Sequence, residues 1–161
     1  EGRFESVRAG QDFLVLVDYA HTPDSLENVL RTIREFAEGN IIIVFGCGGD
    51  RDRAKRPLMG EIAAQHSDYI YLTSDNPRSE DPQQIVLDIE LGIKRVKARS
   101  FTYESILDRR EAIRKAVAQA GPKDVVLIAG KGHETTQEIQ GVRHPFDDRD
   151  IAREAIRSKL Q

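Results

Sequence analysis

Four short apolar runs punctuate the chain: Phe13–Val17, Ile41–Phe45, Tyr69–Thr73 and Val125–Ala129. Each is apolar at nearly every position rather than every second one, the pattern of a strand buried on both faces. Segments of helical spacing lie between them. Leu26, Val29, Leu30, Ile33 and Phe36 share one face of a helix that Pro23 or Asp24 starts and Gly39 stops. Pro57 opens a second helix and Pro82 a third, near Ile85 to Ile93. Asp108 caps a fourth that runs through Ala120, and Asp147 or Asp148 caps a last one through Ile151, Ala155 and Ile156. This alternation predicts an α/β, Rossmann-like fold with a mainly parallel sheet and helices on both faces. No repeat, low-complexity tract or linker interrupts it, so residues 1–161 read as one domain.

In such a sheet, ligands bind at the carboxyl ends of the strands, where loops meet helix N-termini. The polar clusters of this chain follow the predicted strands. They are Asp18-Tyr-Ala-His-Thr-Pro23, Gly46-Cys-Gly-Gly-Asp-Arg-Asp52, Ser74-Asp-Asn-Pro-Arg78 and Gly130-Lys-Gly-His-Glu-Thr135. All four are expected on one rim.

Charge narrows the function classes. Against 27 Asp and Glu stand 24 Lys and Arg, a formal charge of −3, which supplies no broad basic field for nucleic acid or an anionic membrane. Any anion site must be local. With Cys47 as the one cysteine there can be no internal disulfide, and no apolar run approaches the ~20 residues that span a bilayer. A cytoplasmic protein with neither a nucleic-acid nor a membrane partner is expected. Glu1-Gly-Arg-Phe-Glu5 is neither an initiator methionine nor a signal peptide, which suggests a piece of a longer chain.

The glycines of Gly46-Cys-Gly-Gly would let backbone N–H groups approach a phosphate. The loop lacks the third glycine of a dinucleotide fingerprint and the Lys-Ser/Thr ending of a P-loop, so alone it fits a tight turn better. Gly130-Lys-Gly-His-Glu134 is no P-loop either, because Val125 stands where a glycine is needed and Gly132 where Ser or Thr is needed. Glu134 or His133 can still face a ligand there, with Gly130 allowing close backbone approach. Asp18 can accept ribose hydroxyls and His21 can pack on a base, although Thr22 and Asp24 also suit plain helix capping. His21, His66, His133 and His144 show no paired ligand spacing, so no metal site is expected. Asp75, Asn76 and Pro77 form a good turn, but Arg78 is not required by it. An Arg fork grips a carboxylate, Asp75 accepts from an ammonium and Asn76 does either, a set suited to the head of an amino acid.

Taken in order, the clusters resemble the C-terminal domain of the Mur ligases, and within them the members that add the third peptide residue. The resemblance rests on Gly2-Arg-Phe-Glu5, Asp18 to Asp24, Gly46 to Asp52 with Lys55-Arg-Pro-Leu-Met59, Asp75 to Arg78, Gly130 to Glu134 and His144-Pro-Phe-Asp-Asp-Arg149. Each motif is short; six in the family's order are specific. The family joins an amino acid to a UDP-N-acetylmuramoyl peptide, here the dipeptide, using ATP and Mg2+ through an acyl phosphate that the incoming amine attacks. Asp-Asn-Pro-Arg is its diaminopimelate signature. The resemblance implies a pocket for meso-diaminopimelate made by Arg51, Asp75, Asn76, Pro77, Arg78, Gly130 and Glu134. It also implies a nucleotide site of Arg3, Asp18, Tyr19 and His21, with Arg3 as the catalytic arginine near the γ-phosphate. The family's P-loop, magnesium ligands, modified lysine and UDP-sugar site belong to two other domains, so this domain alone is expected to be inactive. Two other readings stay open: a free-standing amino-acid or nucleotide binding module, and the equivalent domain of a lysine-adding or folylpolyglutamate-type ligase.

Overall fold

Burial on both faces, expected of the continuous apolar runs, is what the sheet displays. The computed structural model describes residues 3–161; Glu1 and Gly2, the latter opening one of the motifs above, lie outside the described residues. In chain order the elements are β1 (Glu5–Ser6), β2 (Leu14–Asp18), α1 (Pro23–Phe36), β3 (Ile41–Phe45), α2 (Lys55–His66), β4 (Tyr69–Leu72) and α3 (Pro82–Ile93). They continue with β5 (Thr102–Ser105), α4 (Arg109–Gln119), β6 (Val125–Ala129), β7 (Thr136–Ile139), β8 (Val142–Pro145) and α5 (Asp148–Leu160). Six strands form one sheet in the order β1-β2-β6-β3-β4-β5, parallel except for β1, while β7 and β8 form a separate antiparallel hairpin.

Alternate residues of each central strand feed two cores. Leu16, Ile43, Phe45, Ile70 and Leu127 pack against α1, α2 and α3, whereas Val15, Val17, Val44, Val126 and Ile128 pack against α4 and α5. The chain steps outward from β3 to β5 over the first layer, then returns over the second to insert β6 between β2 and β3. That reversal is a topological switch point, and it sets the loop after β6 between those after β2 and β3.

Several boundaries differ from expectation. The second helix begins at Lys55, two residues before Pro57, because the first turn has no intrahelical acceptor and tolerates a residue without an N–H. The first helix ends at Phe36, with Ala37 donating to Ile33, rather than at Gly39. Gly39 instead passes the next turn, its N–H donating to Lys123 at 3.1 Å. Thr22 is the cap of α1, in a reciprocal box with Ser25. Four strands escaped the hydrophobic pattern: β1 has two residues, β5 is a polar edge, and β7 and β8 carry few apolar groups. The turn between the last two, Gln140-Gly141, has φ of +51° and +76°, the two-residue type that fits a hairpin's twist.

Asp147, not Asp148, caps α5 by accepting from Arg149. Asp148 points inward, fully buried, onto an equally buried Arg109. The pair is bidentate at 2.8 and 2.7 Å, and Arg109 also donates to the carbonyls of Ser74 and Ala129 at the ends of β4 and β6. Removing one partner of a buried pair strands the other's charge. Asp148→Ala is therefore expected to lose about 3–5 kcal/mol of stability, against about 1 kcal/mol for Asp147→Ala, which removes a cap. Urea denaturation of both variants checks this, and equal losses would contradict the different roles of the two neighbours.

Candidate functional site

The loops after β2, β3, β4 and β6 meet as expected. A cavity of about 380 Å³ is lined by Tyr19, His21 and Thr22, by Gly48, Arg51, Asp52 and Lys55, by Asp75, Asn76 and Arg78, and by Gly130 and Glu134. A second, of about 330 Å³, is lined by Arg3, Asp18, Ser25 and neighbours, and it shares Tyr19, His21 and Thr22 with the first. Pro77 lines neither; it faces a separate groove with Pro82, Leu107 and Phe146, behind the turn it shapes.

The glycine loop after β3 packs against backbone. A Cβ at Gly49 would sit 1.9 Å from the Pro77 carbonyl, and one at Gly48 would sit 2.9 Å from Arg78 Nη1. Glycine there lets two loops interlock, with Gly49 N–H donating to Asn76 at 2.7 Å. From below, buried Arg56 donates to the Gly48 carbonyl, to both oxygens of Glu80 and to Asp88. Glu80 in turn accepts from Asp50 N–H at 2.6 Å. Cys47, inside this loop, is inert: burial pushes its thiol up to about 12 despite Lys55 nearby.

Arg78 adopts φ +53°, a left-handed conformation. Hydrogen bonds hold it there: its N–H donates to Glu138 and its carbonyl accepts from Gln140, which clips the β7–β8 hairpin to the turn. Gln137 adds a bond to the Asp75 carbonyl at 2.9 Å. The Arg78 side chain donates to the Gly49 carbonyl at 2.9 Å, and its Nε stands 3.5 Å from Glu138 Oε1. Arg51 is exposed at the mouth, with Nη1 bonded to the Asp50 carbonyl.

Asp75 and Glu134 bring negative charge to the same space. Asp75 Oδ1 is buried without a hydrogen-bond partner, and burial pushes its carboxyl above the ordinary range, opposed by Arg109 and Lys131 and reinforced by Glu134 and Asp148. Gly130, at φ +117°, lies against this carboxylate: a Cβ there would sit 3.7 Å from Asp75 Oδ1. In the adjoining cavity Asp18 is fixed by two backbone donors, Phe4 N–H at 2.7 Å and Ala20 N–H at 2.8 Å. The rings of Tyr19 and His21 lie 4.6 Å apart, with His133 beyond Tyr19 at 6.4 Å. Among the described residues no group of three or more His, Cys, Asp and Glu is placed to hold a metal ion, and no helix is long and apolar enough to cross a membrane.

The family model for "Mur ligase, glutamate ligase domain" matches residues 2–132. The chain belongs to the Mur ligase family. It is 58% identical over 158 residues to the UDP-N-acetylmuramoyl-L-alanyl-D-glutamate–2,6-diaminopimelate ligase of Geobacillus thermodenitrificans, covering 98% of this chain and 32% of that protein. To the ligase of the same name from Oceanobacillus iheyensis it is 56% identical, covering 98% of this chain and 31% of the relative. A solved structure of a ligase of this name superposes with a TM-score of 0.90 at 48% identity, over 100% of this chain and 32% of that one. The chain thus spans about a third of the length of the curated relatives it matches. Escherichia coli FolC, at 20% identity over 99% of this chain and 32% of its own, shares the fold with a TM-score of 0.59.

In this Mur ligase domain the four strand-end clusters converge, but residues given no site role from the sequence organise them. Lys131, Arg56, Arg109 and Glu138 bond the loops of the site, and Asp148 holds Arg109. Their signal in the sequence was weak, since a charged residue in a helix, loop or hairpin reads as surface until the fold supplies its partners. The orphaned Asp75 oxygen yields a stability prediction. A carboxyl whose folded value is raised binds its proton more tightly in the native state, so ionised Asp75 lowers stability once pH exceeds that value. Asp75→Asn is expected to stabilise the fold by roughly 1 kcal/mol at pH 7 to 8, with the gain shrinking as pH falls and Asp75 itself becomes protonated. Paired urea titrations across pH test this; a destabilised variant at neutral pH would show that Lys131 and Arg109 outweigh burial.

Proposed function

We propose that the chain is the amino-acid-selecting C-terminal domain of an ATP-dependent ligase. The full enzyme joins meso-diaminopimelate to UDP-N-acetylmuramoyl-L-alanyl-D-glutamate in cytoplasmic peptidoglycan synthesis. The observation that carries this reading is the charge pattern of the larger cavity, where two guanidinium groups, Arg51 and Arg78, and two carboxylates, Asp75 and Glu134, line one space. Diaminopimelate carries two carboxylates and two ammonium groups, and the pattern complements it. In this reading Arg51 and Arg78 donate to the carboxylates, and Asp75 and Glu134 accept from ammonium groups. Asn76 bonds either, Gly130 admits the ligand to the backbone, and Pro77 supports the turn from behind. Lysine lacks the far carboxylate and would leave a guanidinium unsatisfied in a confined site, a penalty of roughly 1–3 kcal/mol. Identity above 50% to ligases that carry the name of this reaction supports the same choice.

The adjoining cavity suits a nucleoside triphosphate. Asp18, its orientation set by two backbone N–H groups, keeps lone pairs for ribose hydroxyls, and the Tyr19–His21 pair offers ring faces to a base. Arg3 lines the same space and would meet developing phosphate charge. ATP, when bound, supplies the phosphoryl group that activates the carboxylate to be joined. The reading assigns the P-loop, the magnesium ligands and the UDP-sugar site to two further domains, so the 161-residue chain alone is inactive.

The test uses the full-length ligase that contains this chain. It is expected to prefer diaminopimelate to L-lysine, and preference for lysine would sink the specificity claim. Arg78→Ala, and Arg78→Asn, which tolerates the left-handed backbone, are each expected to raise the KM for diaminopimelate about 10- to 100-fold. The KM for ATP should change by less than about threefold. Equal losses for both substrates would argue against a pocket role.

A further inference from the structure

Lys131 has no place in the reading above, and its surroundings are unusual for a lysine. It is fully buried, yet no aspartate or glutamate is its exclusive partner. Its Nζ donates to Asn76 Oδ1 at 3.0 Å and to Glu134 Oε1 at 3.3 Å, and stands 3.9 Å from Asp75 Oδ1, the oxygen without a hydrogen bond. The backbone aims it there: Gly130 and Gly132, at φ +117° and +56°, flank it, and Glu134 N–H closes a turn onto its carbonyl at 3.0 Å. Asn76 is locked into the same set, accepting from Glu138 N–H at 2.9 Å and donating to Glu134 Oε1 at 3.4 Å.

Burying an ammonium group is unfavourable unless charge and hydrogen bonds compensate it, so packing alone does not explain this lysine. Electrostatics does. Asp75 and Glu134 face one cavity from two loops, and the charge of Glu134 adds to the burial that pushes the Asp75 carboxyl up. The charged groups around Asp75 are Arg109 from α4, Asp148 from α5, and Lys131 and Glu134 from the loop after β6. Arg109 is spent on Asp148 in a bidentate pair. Among the described residues, Lys131 is then the one cation within 4 Å of both site carboxylates.

We propose that Lys131 is a positioning residue of the amino-acid site: its ammonium gathers Asp75, Asn76 and Glu134 into one constellation that faces an ammonium group of the incoming amino acid. Glu134 meets Lys131 through Oε1, which leaves Oε2 for the ligand. This inference rests on the reading of the larger cavity as the amino-acid site.

The test again uses the full-length ligase, with steady-state kinetics from pH 6 to 9. Lys131→Met is expected to raise the KM for diaminopimelate at least 30-fold at pH 7 while the KM for ATP stays within threefold. The ratio of variant to wild-type kcat/KM for the amino acid should climb with pH. Lys131 opposes the burial that raises the Asp75 carboxyl, so without it Asp75 holds its proton to higher pH and releases it as pH rises. If Lys131→Met does not fold, Lys131→Gln, whose amide still donates to Asn76, reads the same two quantities. A ratio flat across pH, or equal losses for ATP and the amino acid, would reduce Lys131 to a packing role. Should the wild-type enzyme accept a different amino acid, the functional reading fails, whereas the variant-to-wild-type ratio measured with that amino acid still tests Lys131.

Discussion

The buried Arg109–Asp148 pair is the constraint on which the rim depends. One guanidinium bonds both oxygens of a fully buried carboxylate and also reaches the Ser74 and Ala129 carbonyls. It thereby ties α4 and α5 to the ends of β4 and β6, the two strands whose loops carry Asp75 to Arg78 and Gly130 to Glu134. Such a pair is weak as a source of net stability and strong as a source of register, since neither partner can move without stranding the other. Arg56 serves the glycine loop in the same way from the opposite layer, through Gly48, Glu80 and Asp88.

Polar groups on the rim are therefore held by a second set of polar groups beneath them. The interlocked backbones of Gly49 and Asn76 bring the turn after β4 against the loop after β3. The β7–β8 hairpin closes the far side by bonding both backbone groups of Arg78 and the carbonyl of Asp75. In the proposed reading this is how a cavity with open walls keeps guanidinium and carboxylate groups at fixed separations without a ligand, the preorganisation that binding at a charged site requires.

Much of this was legible in the chain, for identifiable reasons. Ile41–Phe45 and Val125–Ala129 are apolar throughout because helices cover both faces, so their burial could be read directly. The four loops could be placed on one rim because a parallel sheet puts all strand ends of one kind together. Asp108 and Pro82 marked helix starts through local chemistry that tertiary context did not override. Burial of Arg56, Arg109, Lys131 and Asp148 was illegible, since it depends on partners 3 to 55 residues away whose positions only the fold supplies. The hairpin was hidden for a related reason: Gln140-Gly141 is a weaker turn signal than Asn-Gly, and its strands are polar because they pack against a loop rather than a core.

The left-handed backbone at Arg78 bears on how such a pocket can diverge. In the proposed reading a change of amino-acid preference would begin at this position, but the turn filters the exchanges before any ligand does. Glycine, asparagine and aspartate accept φ near +53° readily, whereas valine, isoleucine and threonine would force the hairpin's two backbone bonds to break or strain. Drift at this site is thus channelled toward small or polar residues. A descendant pocket that selects an apolar side chain would have to recruit its selectivity from a neighbouring loop.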